Sequence, residues 1–228
     1  MVNNLNLWAL CGMGYFMGQF FQLKYVVMYG LSSFLARLDN VAAPPHPKCI
    51  GRIHLYSDMW RYFDNGLYLF MQQYIYLPVL GQSTSLLARL CASAVCFSFV
   101  YVWHGTMDFV LIWSCLNFIG ITCEGLARAI GRNSTYQSWE ASCLGPLAVR
   151  RFHAVLASPL LAMSSLSNFY FFTGTEVGHV FVRRVCLESW PVGLPTILFF
   201  LYCCSQTSIE VKNYEIKRQI LAGRDRRE

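Results

Sequence analysis

The sequence predicts an all-α integral membrane protein: a multi-span helical bundle of about five spans, with interfacial or re-entrant helices. Three observations predict it. Hydrophobic residues make up 55% of the 228 residues and charged residues only 13%, against about 25% in soluble domains. Apolar runs long enough to cross a bilayer recur along the chain. The net charge of +6 comes from basic residues at the ends of those runs, which suits membrane topology. No nucleic-acid motif or phosphate-tracking basic helix face accompanies it.

Residues 1–23 carry no charge, and after Lys24 the apolar run continues to Ala36, before Arg37 and Asp39. This length fits one long tilted or kinked spanning helix with Gly30 as a bend. The run lacks a basic leader and is too long for a signal peptide. Residues 40–50 cannot be helical, because Pro44, Pro45 and Pro47 fall within four positions. Residues 55–80 are amphipathic and rich in Trp and Tyr, which favour the membrane–water interface. They read as short interfacial or re-entrant helices ended by Pro78 and Gly81. Residues 90–107 form an uncharged span that contains His104, and residues 109–123 form the next, running on to Arg128. Residues 131–152 read as a polar connection, 154–175 as a third clear span and 189–209 as the last. A basic tail follows from Lys212.

With five spans, the basic stretches 128–151 and 212–227 fall on one side together with Arg37 and Arg89. That side is expected to be the cytosol. The N-terminus and the 175–188 loop then face the lumen, with Arg183 and Arg184 dissenting. Asp64 approaches from the cytosolic side, and His104 sits near the lumenal end of its helix. The ten cysteines lie mostly in apolar runs and contain no Cys-x-x-Cys pair. They read as packing residues rather than as a disulfide framework or zinc ribbon.

Several polar residues stand out against this background. His104 closes an apolar run, follows Trp103 and precedes Gly105. It is either a structural histidine or a neutral imidazole able to act as a general base. Asp64 and Arg61 lie three apart and either pair on one helix face or belong to a reaction centre. Lys48, Arg52 and Asp58 form a charged group that could hold an anionic head group such as a nucleotide phosphate. His46, Cys49 and His54 are a weak zinc pattern without a fourth ligand, and a lone cysteine can also be an axial haem ligand. The stretch 174–180 echoes a phosphate loop but lacks its Lys-[Ser/Thr] end, so nucleotide triphosphate binding is not expected there. Asn168, inside an uncharged span, is either an interhelical hydrogen-bonding group or functional.

The motifs Met59-Trp60-Arg61-Tyr62-Phe63-Asp64, Tyr76-Leu77-Pro78 and Trp103-His104-Gly105 resemble the membrane-bound O-acyltransferase family, in its branch that acylates Hedgehog proteins. The resemblance continues through Arg150-Arg151-Phe152-His153, Ser167-Asn168, Glu176-Val177-Gly178 and Leu201-Tyr202-Cys203. It implies transfer of palmitate from palmitoyl-CoA to the N-terminal cysteine of a Hedgehog-type secreted protein in the endoplasmic reticulum or Golgi membrane. It further implies catalytic roles for His104, Asp64 and Asn168. Trp60, Arg61 and Trp103 would line the substrate path, and Cys49 would be an axial ligand to haem, the iron being the only metal. It makes residues 1–211 the C-terminal half of the family core and residues 212–228 a basic cytosolic tail. Two other functions are compatible with the residues. One is an O-acyltransferase acting on a Ser hydroxyl or lipid alcohol; the other is a non-catalytic membrane partner that binds acyl-CoA or haem.

The topology makes one direct prediction. The Asn133-Ser134-Thr135 sequon lies on the cytosolic side and is expected to carry no glycan. A glycosidase-sensitive mass shift that disappears in Asn133→Gln would reverse the orientation.

Overall fold

The computed structural model describes residues 2–224. Among them there is no strand, and the helices follow from local signals that the sequence contains. Helix α1 (Leu7–Leu38) starts where the Asn6 side chain accepts from the Ala9 N–H at 2.8 Å, a standard N-cap. It runs without a break through Gly30 and ends before Asn40, whose φ is 57°. The proline-rich residues 41–49 are non-helical, as their sequence requires, and one 3-10 turn follows (Ile50–Arg52).

The aromatic stretch divides into α2 (Tyr56–Phe63), α3 (Asn65–Met71), a π-helical turn (Gln72–Tyr76) and α4 (Leu77–Leu80). Pro78 does not end a helix here. It sits in the first turn of α4, where its missing N–H costs nothing. Gly81, at φ 58°, makes the stop.

Next come α5 (Leu86–Trp103), capped by the Ser85 hydroxyl, and α6 (Asp108–Gly131). The connection expected at 131–152 is largely helical, because Asn133 caps a short α7 (Ser134–Cys143) and Pro146 opens α8 (Pro146–Val182). Gly174 interrupts α8 with φ 83° and ψ −180°. The chain then passes through a π-helical segment (Arg183–Glu188) into α9 (Gly193–Arg224). Helix α9 runs through residue 211 to Arg224.

Four described helical stretches are long and apolar enough to cross a membrane: Leu86–Trp103, Asp108–Gly131, Pro146–Glu188 and Gly193–Leu221. The expected count of five becomes four by this measure. At 32 residues, α1 has the length, about 48 Å at 1.5 Å per residue. Its glutamines, glycines, Lys24 and Arg37 dilute its apolarity. Arg183 and Arg184, the two charges that disagreed with the topology, each lie 3.0 Å from Glu188. They are locally compensated and so weigh less as orientation signals.

The spanning helices pack in a row in the order α5, α6, α8, α9, each against the next, with α1 resting on α8 and α2 lying across α6 and α8. Serines such as Ser114, Ser158, Ser164, Ser167 and Ser205 are buried among the apolar side chains of these helices, as is usual for helix packing in lipid. Met71, Cys96, Val100, Val110 and Trp113 form one core cluster beneath α2, joined by Trp60, Leu67 and Phe171. Aromatic rings fasten α1 to this core: Phe21 stacks on Phe63 at 5.7 Å and meets Phe172 at 4.6 Å.

Two polar attachments hold the α2 region. Buried Glu124 on α6 accepts from both the backbone N–H and the hydroxyl of Ser57, at the start of α2. Arg128 bonds to both Ser57 and Glu124. On the other side, Lys212 of α9 reaches buried Asp58 at 2.7 Å, and Glu215 pairs with Arg52 and with Lys48.

Tyr56 lies flat against α6 at Gly120, where a Cβ would come within 2.4 Å of its ring. The ring is buried and cannot retreat. Gly120→Val is therefore expected to lower unfolding stability in detergent by about 1–3 kcal/mol, as overpacking does, and thermal unfolding would show it. An unchanged melting temperature would mean that Tyr56 has room to move.

Candidate functional site

The joint between α2 and α3 makes one wall of a cavity. Asp64 stands at that joint with φ −128° and ψ 87°, outside both helices. Its Oδ1 accepts from the Leu67 N–H at 2.9 Å, capping α3, and its Oδ2 accepts from the Tyr29 hydroxyl at 2.6 Å. The bend points Asp64 away from Arg61, so the two do not pair as their spacing allowed. Arg61 is exposed and lies instead over the Tyr68 ring, 5.5 Å from its centroid.

Asp64 lines a cavity of about 80 Å³ with Met59, Trp60, Phe63, Leu67, Tyr68, Trp113, Asn117 and Asn168. This is smaller than the roughly 300–1,000 Å³ of sites that enclose small molecules. Its polar groups are ordered by two indole-to-amide bonds. Trp60 Nε1 donates to Asn117 Oδ1 and Trp113 Nε1 to Asn168 Oδ1, each at 3.1 Å. The Asn117 NH2 donates in turn to the Trp113 carbonyl at 2.8 Å and to Ser167 Oγ at 3.3 Å.

His104 does not line this cavity. It ends α5, its N–H bonded to the Val100 carbonyl, and Gly105 and Thr106 follow at positive φ. Its ring stands edge-on to Trp113 at 5.5 Å and to Phe171 at 5.2 Å. Neither ring nitrogen has a hydrogen-bond partner among the described residues. The packed side of the ring is desolvated, which disfavours the charged form and holds the pKa below the ordinary imidazole value. A neutral imidazole with a free nitrogen can accept a proton.

The structure thus brings Asp64, Asn168 and Trp60 to one cavity and sets His104 against it, with the Trp113 ring between. Trp103 lies elsewhere: it is 70% exposed and stacks on Phe99. Cys49 is exposed at the start of the 3-10 turn. Its sulfur lies near the face of Gly51, as do Tyr15 Oη and the Gln19 Nε2, a buried donor without a partner. No group of three or more His, Cys, Asp or Glu residues converges as a metal site among the described residues. His46, Cys49 and His54 therefore do not form the cluster their spacing suggested. Lys48 and Arg52 are paired with Glu215 of α9 rather than free for a phosphate. That partner lies on the part of α9 beyond residue 211, which the sequence presents as a basic tail.

Three site residues were missed: Tyr29, Trp113 and Asn117. Asn117 carried the same signal as Asn168, a polar amide inside an uncharged run. Trp113 and Tyr29 carried none, since aromatics are common throughout.

Residues 1–167 match the membrane-bound O-acyltransferase family. The chain is 45% identical over 196 residues to protein-cysteine N-palmitoyltransferase Rasp of Drosophila melanogaster, an alignment covering 86% of this chain and 39% of that protein. It is 35% identical over 209 residues to protein-cysteine N-palmitoyltransferase HHAT of Mus musculus, covering 92% and 42%. It is also 27% identical over 195 residues to the mouse HHAT-like protein, covering 86% and 38%. The chain spans about two fifths of the length of these curated relatives.

Asn117 makes the geometry testable. Asn117→Ala would strand the partly buried indole N–H of Trp60 and should cost roughly 1–3 kcal/mol in denaturant unfolding. No measurable loss would mean that another acceptor reaches Trp60.

Proposed function

The chain belongs to the membrane-bound O-acyltransferase family, and on that premise we propose that it transfers palmitate from palmitoyl-CoA to the N-terminal cysteine amine of a Hedgehog-type secreted protein. The observation that carries the proposal is the partner-free, partly desolvated His104 imidazole, set one aromatic ring away from a cavity that Asp64 and Asn168 line. The two relatives of highest identity quoted above are named protein-cysteine N-palmitoyltransferases, which supports the donor and the acceptor atom. The Hedgehog-type acceptor rests on the sequence motifs.

The chemistry needs a base and a place for negative charge. The peptide amine attacks the thioester carbonyl, and a C–N bond forms. His104 takes the amine proton as nitrogen becomes positive. The carbonyl oxygen gains charge, and the Asn168 NH2 is the donor for it. Collapse breaks the C–S bond, and the departing CoA thiolate recovers the proton from His104. Asp64, held by Tyr29 and the Leu67 N–H, fixes the α2–α3 joint at the cavity. Trp60 lines the acyl path there, Tyr68 forms its rim with the Arg61 cation over its ring, and Trp103 on the outer face of α5 guides the acceptor.

Cys49 would hold a haem through its sulfur. The residues fit such a group: the thiol is exposed and Gln19 Nε2 has no partner. The adjacent α1 presents Tyr15 and Phe16, 65% and 70% exposed. A haem there would supply an iron–thiolate bond to Cys49, apart from the acyl-transfer chemistry. In this reading the chain lies in the endoplasmic reticulum or Golgi membrane with its C-terminus in the cytosol, so acyl-CoA arrives from that side and the peptide from the lumen.

The test is transfer from labelled palmitoyl-CoA to a peptide with a free N-terminal cysteine, using the chain purified in detergent. A hydroxylamine-resistant amide product is expected, with turnover reduced about 100-fold or more in His104→Ala if the histidine is the base. Near-normal turnover of that variant would remove His104 from the mechanism, and no product from the unmodified chain would remove the transfer reaction.

A further inference from the structure

Trp113 is the one cavity-lining residue in ring contact with His104 among the described residues. It is 8% exposed and packs at 4.6 Å on Phe171, which touches the same imidazole. It is also the hydrogen-bond partner of Asn168. One side chain thus touches both the base and the amide of the proposed reaction.

The direction of that hydrogen bond matters. An indole N–H can only donate, so it is the oxygen of Asn168 that faces Trp113. The Asn168 NH2 is left without a partner among the described residues, on a side chain that lines the cavity. Asn117, the other asparagine there, is arranged differently. Its NH2 is already engaged by the Trp113 carbonyl and by Ser167, and its oxygen by Trp60. Only Asn168 keeps its donors available. An unheld amide could turn over and present oxygen to a developing oxyanion, which repels it, and donors stabilise such charge well only when fixed beforehand.

We infer that Trp113 is a positioning residue for acyl transfer: its indole N–H sets the orientation in which the Asn168 amide offers its NH2 to the substrate carbonyl, while its ring braces the His104 imidazole. This rests on the proposed transfer reaction. Trp113 touches no reacting atom and acts through Asn168 and His104.

Trp113→Phe keeps an aromatic ring and removes the N–H. In the palmitoyl-transfer assay it is expected to lower kcat by roughly 10-fold or more, with KM for palmitoyl-CoA unchanged within about twofold. Introduced into Asn168→Ala, the same substitution is expected to cost less than about twofold further, because its effect passes through the amide already removed. A normal kcat for Trp113→Phe, or a full additional loss in the double variant, would overturn the inference, since a merely structural role would add. A second arm does not depend on turnover. In the 1H–15N spectrum of the detergent-solubilised chain, the indole peak that disappears in Trp113→Phe should shift in Asn168→Ala while the other tryptophan indoles stay in place. If Trp113→Phe does not fold, the Trp113 indole is assigned by selective labelling and the Asn168→Ala comparison decides. An unmoved peak overturns the inference even where transfer is intact. A moved peak in a chain that forms no amide product overturns the transfer reaction, and with it the positioning role, leaving the bond as a structural one.

Discussion

A polar amide inside an apolar helix bundle must be hydrogen-bonded, and the centre of this protein is arranged around that requirement. Asn117 on α6 is 5% exposed and Asn168 on α8 is partly buried. Two indoles, each a donor that needs an acceptor, answer them from α2 and from α6. The mutual register of α2, α6 and α8 satisfies both bonds together with the Asn117–Ser167 contact. Sliding one helix by a turn, about 5.4 Å, would strand an amide and an indole at once. The aromatic packing of Trp60 on Phe97 and Trp113 then follows from where those bonds place the rings.

Much of the fold was legible because lipid imposes simple rules. Long uncharged runs are helices, and the proline cluster at 44–47 is a break. The third span, expected over 154–175, is kinked near that end, where Gly174 leaves helical geometry, but the apolar helical stretch continues to Glu188. Legibility failed where composition and structure part company. The polar residues 131–152 looked like a loop, yet Asn133 supplies an N-cap and Pro146 a helix start, so most of them are helical. The basic residues after 211 looked like a tail, and those from 212 to 224 are helical, continuing α9. The candidate site was half legible. His104, Asp64 and Asn168 stood out as polar groups among apolar ones, and the structure gathers two of them at one cavity with the third behind Trp113. That the spacer is Trp113 could not be read, because an aromatic in an aromatic-rich chain carries no signal until its neighbours are known.

The carboxylates around α2 illustrate how burial assigns roles. Glu124 and Asp58 are both nearly enclosed, and each is matched by a cation, Arg128 and Lys212 respectively. An unpaired charge in either place would be costly, so the partners are part of the packing. Asp64 differs in kind. It is met at the edge of the cavity by a phenol and a backbone N–H rather than by a cation.

The attachments of α9 to the segment bearing Trp60 and Asp64 join residues far apart in the chain: Asp58 with Lys212, and Arg52 with Glu215. During synthesis the earlier partners leave the ribosome more than 150 residues ahead of the later ones. Contacts of such separation form late, after the chain between them has been ordered. The segment that shapes the cavity is therefore made early and locked last, so a nascent chain inserted up to α8 would hold its helices in the bilayer while the cavity wall still lacked its anchor.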